Sequence, residues 1–478
     1  MTVRGTLRIG FVGVQRDAFK GDARAVTQRA AEALTRLGDG HGYTLVRAPA
    51  SVDDAASAER MATWASAQDL DMLLVLHATF ATGDLLAPLL RATGRVGVWA
   101  VPEREGLPLR RPGVHPDLAP LPLNSLCGLN MTLSLLEHRH VATGRPVKWF
   151  WGAPDSDAFR RRWATTLGAL HGLRALEKAR VLQIGGTAPA FYRLEERPDA
   201  LSGVQVETLP LGDLYDRMAA VPNDDVAART EAWQRREPLA GATVEHLRVA
   251  ARTVLALDAL AREGGFQALA LRCWPEFADR CGGMACAAVG AMADRGIPTA
   301  CEGDVMGALS MLALQGVAGA PSALMDLSDL DLARDRVLLW HCGNAPVAFA
   351  AQPGARLTTH FNRDGTGVVR DMRLAPGPAS GFRLLDRGAA AVIISGRIDD
   401  TAEPDVDGVR GWWGALRWDG VPRSAMEVVS QILDRRLPHH LALAPGSHDD
   451  ALHELSAWIG ASVIGPERAR DALLAPTA

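Results

Sequence analysis

The residue types best suited to chemistry in this sequence are acids and imidazoles that fall at the ends of apolar runs. In Ala300-Cys301-Glu302-Gly303-Asp304, Glu302 closes the brief strand Pro298–Cys301, and the helical run Met306–Leu314 follows. Open α/β sheets bind ligands outside the carboxyl ends of their strands, and Gly303 lets the chain turn sharply there. Asp304 stands at a helix N-cap position, where a side-chain oxygen satisfies a free backbone N–H. Glu302 caps nothing obvious, which leaves it for function. The next strand, Ala323–Met325, ends at Asp326, 24 positions beyond Glu302. One strand–helix–strand repeat has about that length, so both acids are expected at one edge of a sheet. Paired there, they suit a hard divalent cation or proton exchange with a substrate. The plainer alternative is a solvated loop acid, and Asp329 and Asp331 dilute the signal.

Imidazoles are the next candidates. His439-His440 lies between Leu437-Pro438 and the apolar Leu441–Ala444, and His341-Cys342-Gly343 ends the run Val337–His341. Neutral imidazole at a strand edge suits Mn²⁺ and similar metals, although a packed or surface His is the commoner use. Other motifs fall short. Gly185-Gly186 and Gly10-Phe11-Val12-Gly13 are not GxGxxG fingerprints, and neither GxxxxGK[ST] nor GxSxG occurs. Trp is frequent, at 12 against three Tyr. Trp149, Trp151, Trp412, Trp413 and Trp418 could stack on sugar rings, or serve core packing.

These side chains need a scaffold, and the chain's patterning supplies one. Leu7–Val14, Thr44–Ala48, Met72–Leu76 and Val96–Val101 read as strands, with helical runs such as Ala23–Leu37 and Ser125–His140 between or after them. A second alternating series holds the helix Asp157–Glu177 and the strands Arg180–Ile184, Val204–Leu209, Ala268–Arg272 and Pro298–Cys301. Such alternation predicts parallel sheets with helices on both faces. Past Ser322 strand-like pieces crowd together: Arg356–His360, Gly367–Leu374, Phe382–Leu384, Ala391–Ser395 and Ala415–Trp418. Turns at Arg363-Asp364-Gly365 and Pro376-Gly377 separate them, as in an antiparallel sheet or small barrel. The expected fold is α/β. It has two doubly wound, Rossmann-like parallel-sheet domains and a C-terminal α+β domain with an antiparallel, barrel-like core. The expected boundaries are 1–142, 143–317 (carrying Glu302) and 318–478 (carrying Asp326 and His440).

Composition excludes several classes. The net charge is -4, from 51 basic and 55 acidic residues, so there is no basic excess for nucleic acid and no polybasic run for a membrane surface. No apolar run reaches the roughly 18–20 residues of a spanning helix. The N-terminus passes almost directly into a strand rather than a secretory signal, so a cytoplasmic protein is expected. Six Cys without a CxxC pair read as reduced thiols, with no Cys-based zinc site.

Arg272-Cys273-Trp274-Pro275-Glu276-Phe277, Cys286, Gly296-Ile297-Pro298, Cys301-Glu302-Gly303-Asp304, Asp326, Trp340-His341-Cys342-Gly343 and His439-His440 together resemble the L-fucose isomerase family. Weaker similarity runs through the first half at Ser125-Leu126-Cys127-Gly128, Trp151-Gly152 and Leu182–Gly186. The resemblance implies an aldose–ketose isomerase that binds Mn²⁺, or another divalent ion such as Mg²⁺ or Co²⁺, through Glu302, Asp326 and His440. The bound ion would act as a Lewis acid on the sugar oxygens and stabilise an ene-diolate. Glu302 and Asp326 would move the proton between C2 and C1. The resemblance further implies homo-oligomers, often hexamers, in which the first domain of a neighbouring subunit helps close the site. Arg16, Trp274 and His341 are then expected at the substrate, with His341 also the nearest candidate for a further ligand. The chain is shorter than the larger fucose isomerases, and shorter relatives include isomerases of sulfonated sugars such as sulfoquinovose. Arg16, Arg272, Arg356 and Arg417 could meet a sulfonate or phosphate. The competing expectations are a metal-dependent sugar lyase or epimerase, and a non-catalytic sugar-binding protein.

Overall fold

The computed structural model describes residues 5–106, 121–137, 146–363 and 365–465. They fall into two compact units, one within Arg4–His171 and one within Gly172–Arg468. The expected boundary at 142/143, the end of the predicted helix Ser125–His140 and Asp364 of a predicted turn lie outside the described residues.

The N-terminal unit carries β1 (Leu7–Val14), β2 (Tyr43–Arg47), β3 (Met72–His77), β4 (Val96–Ala100) and β5 (Lys148–Trp151). They pair in parallel in the order β2-β1-β3-β4-β5, a doubly wound arrangement. Central β3 reads Met-Leu-Leu-Val-Leu-His and is buried throughout, as a parallel strand covered on both faces must be. Trp99, Phe150, Phe159 and Trp163 pack as one aromatic group within this unit.

The second unit begins with another parallel sheet. Here β6 (Arg180–Ile184), β7 (Gln205–Leu209), β8 (Ala268–Leu271) and β9 (Thr299–Ala300) run in the order β7-β6-β8-β9. The chain then changes architecture. The next strands are β10 (Ala323–Asp331), β11 (Arg336–His341), β12 (Arg356–Thr359), β13 (Gly367–Arg373), β14 (Gly377–Leu385) and β15 (Ala390–Ile398). They are followed by β16 (Val409–Trp418), β17 (Val421–Pro422), β18 (Leu441–Pro445) and β19 (Ser462–Val463). All join one ten-stranded sheet. Its path β16-β11-β10-β18-β14-β15 closes on itself because β15 also pairs with β16. The ring is antiparallel at every step, so the barrel-like core expected from the crowded strands is present.

One helix ties the parallel sheet to the barrel. Val305–Ala318 is apolar on all sides and almost wholly buried, the pattern of a helix enclosed in a core. It packs on β8 and on β14 and β18. Its N-terminus therefore delivers the Glu302 turn to the barrel.

The structure corrects two expectations. The two acids do not close successive strands of one sheet. Glu302 follows β9 of the parallel sheet, whereas Asp326 lies inside β10 of the barrel and pairs with Trp340. The helix between them carries the chain from one sheet to the other, a change that residue spacing does not reveal. Trp412, Trp413 and Trp418, considered for sugar stacking, are buried along β16. Trp149 and Trp151 pack against the core of the N-terminal unit.

Candidate active site

Glu302 sits in the short turn Cys301–Gly303 with φ 61° and ψ 12°, a left-handed conformation that an L side chain adopts at a cost of about 1–2 kcal/mol. Its surroundings hold it there. The Ala188 N–H donates to the Glu302 carbonyl at 2.8 Å, and the Gln183 amide donates to the Gly303 carbonyl at 2.8 Å. Gly303 is required twice over. It has φ 74°, and a Cβ there would lie 2.0 Å from the Gly186 carbonyl oxygen. The Gly185-Gly186 turn after β6 thus serves to seat the Glu302 loop.

Asp304 caps the buried helix, accepting from the Gly307 N–H at 2.7 Å. It does more than cap. Fully buried, its carboxylate receives both Arg383 guanidinium nitrogens, at 2.5 and 3.0 Å, and contacts His440 Nδ1 at 2.9 Å. Burial pushes this carboxyl up, but Arg383 and His440 together pull it well below the ordinary carboxylate range. Gly307 leaves the room, because a Cβ there would fall 2.4 Å from the Asp304 carboxylate. With Nδ1 so engaged, the His440 ring turns Nε2 the other way.

That Nε2 faces two acids, 3.6 Å from Glu302 and 4.0 Å from Asp326. Strand register brings them together. Met325 of β10 lies opposite Leu441 of β18, so Asp326 and His440 meet at one end of the barrel. His341 ends β11, the strand on the other side of β10, and its ring stacks on His440 with centroids 5.7 Å apart. His439 Nε2 reaches Glu302 at 3.2 Å. Burial outweighs the neighbouring imidazoles and raises the Asp326 carboxyl. Burial, then His440, His439 and His360, pushes His341 well below its usual value. Burial opposes a charge on His439, but the Glu302 bond and Asp326 prevail and raise it.

Three buried atoms in this cluster have no hydrogen-bond partner among the described residues: Asp326 Oδ1, His341 Nε2 and His440 Nε2. Buried polar atoms are rarely left so, and three converging on one point make this a candidate binding centre. The ligand atoms of Asp326, His341 and His440 lie within 4.8 Å of one another, as do those of Glu302, His439 and His440. A divalent ion with oxygen and nitrogen ligands at about 2.0–2.3 Å fits such spacing. The donor set, carboxylate with neutral imidazole, suits Mn²⁺.

A cavity of about 390 Å³ opens over these groups. Trp274, Trp340, Phe361 and Phe191 form apolar walls, with Asn362 and His360 between them. Glu302, Asp326, His341 and Trp274 thus lie where the sequence reading brought them together, with His440 packed directly behind. Arg16 belongs to the N-terminal unit, where it binds Thr82 at 2.6 Å and Asp84 at 2.7 Å. Arg272 pairs with Glu276 at 3.1 Å, and Arg356 pairs with Asp371.

Sequence reasoning gave no site role to Arg383, His360 or Phe361, nor to Trp340, although Trp340 lies in the Trp340-His341-Cys342-Gly343 motif. Arg383 had a readable signal, since an arginine inside the apolar run Phe382–Leu384 must find a buried partner. It also missed a thiol group. Cys286 and Cys342 approach to 3.4 Å at the cavity wall, with His360 close enough to share an ion, whereas the spacing of the cysteines predicts no such site. All six cysteines are free.

Fold and site together define an α/β protein with a carboxylate–imidazole pocket where a parallel sheet meets the mouth of a β-barrel. The chain is similar to curated proteins named sulfoquinovose isomerase. It is 25% identical to that of Priestia megaterium over 82% of this chain and 84% of the relative. It is 26% identical to that of Alkalicoccus urumqiensis over 80% and 83%. A third relative of the same name, from Clostridium sp., is 29% identical over 53% and 57%. No family model matches the chain. One solved structure found for it, an ABC-transporter solute-binding protein from Agrobacterium vitis, shares 13% identity with a TM-score of 0.16 over 66% of this chain and 86% of that one. So poor a superposition bears on neither fold nor function.

Proposed function

We propose that this protein is a divalent-metal-dependent aldose–ketose isomerase of the L-fucose isomerase type, acting on a sulfonated aldose such as sulfoquinovose. The observation that carries this reading is the convergence of Asp326, His341 and His440, three buried and unpaired donors, beside Glu302. The named relatives extend over most of the chain and supply the substrate class.

Glu302, Asp326 and His440 would hold the metal, with His341 placed as a further ligand. When bound, such an ion would polarise the sugar's carbonyl oxygen as a Lewis acid. The chain's own residues do the rest. Glu302 and Asp326 are the two carboxylates able to take a proton from C2 and return one to C1. Asp304 and Arg383 keep the His440 ring fixed throughout. Trp274, Trp340 and Phe361 cover the apolar faces of the sugar and limit water. No Lys or Arg stands among the described residues lining the cavity. The sulfonate, remote from the reacting carbons, must therefore meet a cation from elsewhere, and Arg16 of another copy in a homo-oligomer is our candidate.

The test is ¹H NMR in D₂O with Mn²⁺ and a panel of sulfoquinovose, L-fucose, D-arabinose and L-arabinose. Ketose formation from sulfoquinovose, with deuterium entering C2 of the recovered aldose, is the expected result. Cleavage products or an epimer would point to lyase or epimerase chemistry. Binding of sugar and metal without turnover would leave a sugar-binding protein.

A further inference from the structure

A second polar cavity lies on the same unit, lined by residues that play no part in the chemistry above. It measures about 130 Å³, the liquid volume of about four waters. Its floor is Arg370, which is fully buried and held by Glu237 through two bonds of 2.8 Å and by Asp294 at 2.7 Å. Both carboxylates are already committed. Glu237 also accepts from the Trp233 indole at 2.8 Å, and Asp294 from the Val347 N–H at 2.8 Å.

Arg229 and Arg236 form the rim. Arg229 lies in the helix Asn223–Gln234 and Arg236 just beyond its end, and both line the cavity together with Trp233. Neither has a carboxylate within ion-pair distance among the described residues. Arg229 Nε is buried without a hydrogen-bond partner, and its guanidinium lies over the Trp233 ring at 5.0 Å. Burial first, then Arg295, Arg370 and Arg236, presses the Arg229 guanidinium below its usual value. Four guanidinium groups line this small cavity; Arg370 is taken by Glu237 and Asp294 and Arg295 by Asp258 at 2.9 Å, so an anion is the missing charge for Arg229 and Arg236. Arginine's planar donor fork matches tetrahedral oxyanions.

We propose that this cavity binds a small tetrahedral oxyanion, inorganic phosphate or the phosphate of a monoester, between Arg229 and Arg236. The site is separate from the isomerase pocket and does not rest on the function proposed for it.

Isothermal titration of the intact protein with inorganic phosphate and, in parallel, with glycerol 1-phosphate tests this. Three proteins are compared: wild type, the Arg229→Gln/Arg236→Gln double variant, and Glu302→Gln, which controls for phosphate entering the isomerase pocket. Saturable binding by wild type and by Glu302→Gln, weakened at least about tenfold in the double variant, is expected. Comparable affinity for the two probes assigns the site to phosphate groups generally, and preference for phosphate assigns it to the free ion. Absence of saturable binding on the order of 10 mM would overturn the proposal, as would equal affinity in the double variant. So would loss of binding in Glu302→Gln alone. Sedimentation of each protein covers the remaining case. A double variant that dissociates, from a wild type blind to phosphate, would mean that a carboxylate of a second copy takes these arginines instead.

Discussion

His440 divides two regions of opposite character. On its Nδ1 side the charges are matched, with Arg383 Nε alone left without a partner among the described residues. Asp304 takes Arg383, the Gly307 N–H and the imidazole, all in the buried interior. On its Nε2 side Asp326 and Glu302 are less deeply buried, and three buried atoms, His440 Nε2, Asp326 Oδ1 and His341 Nε2, stay unmatched among the described residues. Both regions place charged groups out of water, which costs several kcal/mol per ion unless partners compensate. The first compensates internally, so its role is to hold a ring in place. The second leaves that compensation to something that binds. The same residue types therefore serve support or chemistry according to whether their partners are built in.

The largest effect should come from the unmatched side. Glu302→Gln and Asp326→Asn each keep shape while removing a carboxylate. Each should lower kcat by about 10²–10⁴-fold with little change in the unfolding midpoint. Chelation with EDTA should silence the wild type, and Mn²⁺ should restore it. Turnover by the metal-stripped protein, or near-normal kcat in both variants, would erase the distinction between the two regions.

The matched side should respond in stability first. Arg383→Ala leaves Asp304 buried with its main counter-charge gone, at a cost of about 3–5 kcal/mol in urea unfolding. Asp304→Asn is milder in fold but frees the His440 ring. Loss of such a support typically weakens metal binding or activity about 10–100-fold. The informative readout is the metal itself. Added Mn²⁺ should recover part of the activity of Asp304→Asn and none of that lost in Glu302→Gln. An Arg383→Ala protein as stable as wild type would show that the buried pair is not what holds this region.

Much of this arrangement was legible in the sequence, and the limits have physical causes. Alternation of apolar strands with helices announced both parallel sheets, because parallel pairing demands a crossover each time. The closely set runs after Ser322 announced the barrel. Asp304 was readable as a cap because capping is local. Its ties to Arg383 and His440 were not, since they span 79 and 136 positions and depend on how β14 and β18 meet the helix. The pairing of Glu302 with Asp326 was anticipated on the wrong geometry. Spacing alone does not distinguish a crossover within one sheet from a step into another. The tryptophans of β16 misled because a strand in a closed barrel, covered outside as well as in, loses the polar face that would mark its orientation.

Another buried histidine tests what burial does away from the carboxylates of the site. His77 ends β3 in the N-terminal unit, wholly buried, with Nε2 2.7 Å from the Thr132 hydroxyl and no acid beside it among the described residues. Burial pushes it from 6.5 down to about 4. The folded form therefore resists protonation that the unfolded chain accepts. The stability His77 contributes is present above about pH 6.5 and is lost as pH falls toward 4. At pH 5.5 the loss is about 1.4 kcal/mol, one pH unit of differential proton binding. The check is the urea transition of this unit at pH 7.5 and 5.5, in wild type and in His77→Gln. The gap between the two proteins should shrink by about that amount on acidification. A gap that stays constant would mean that His77 holds its proton as readily as a surface imidazole. Burial would then not explain why His341, beside Asp326, is held below its usual value.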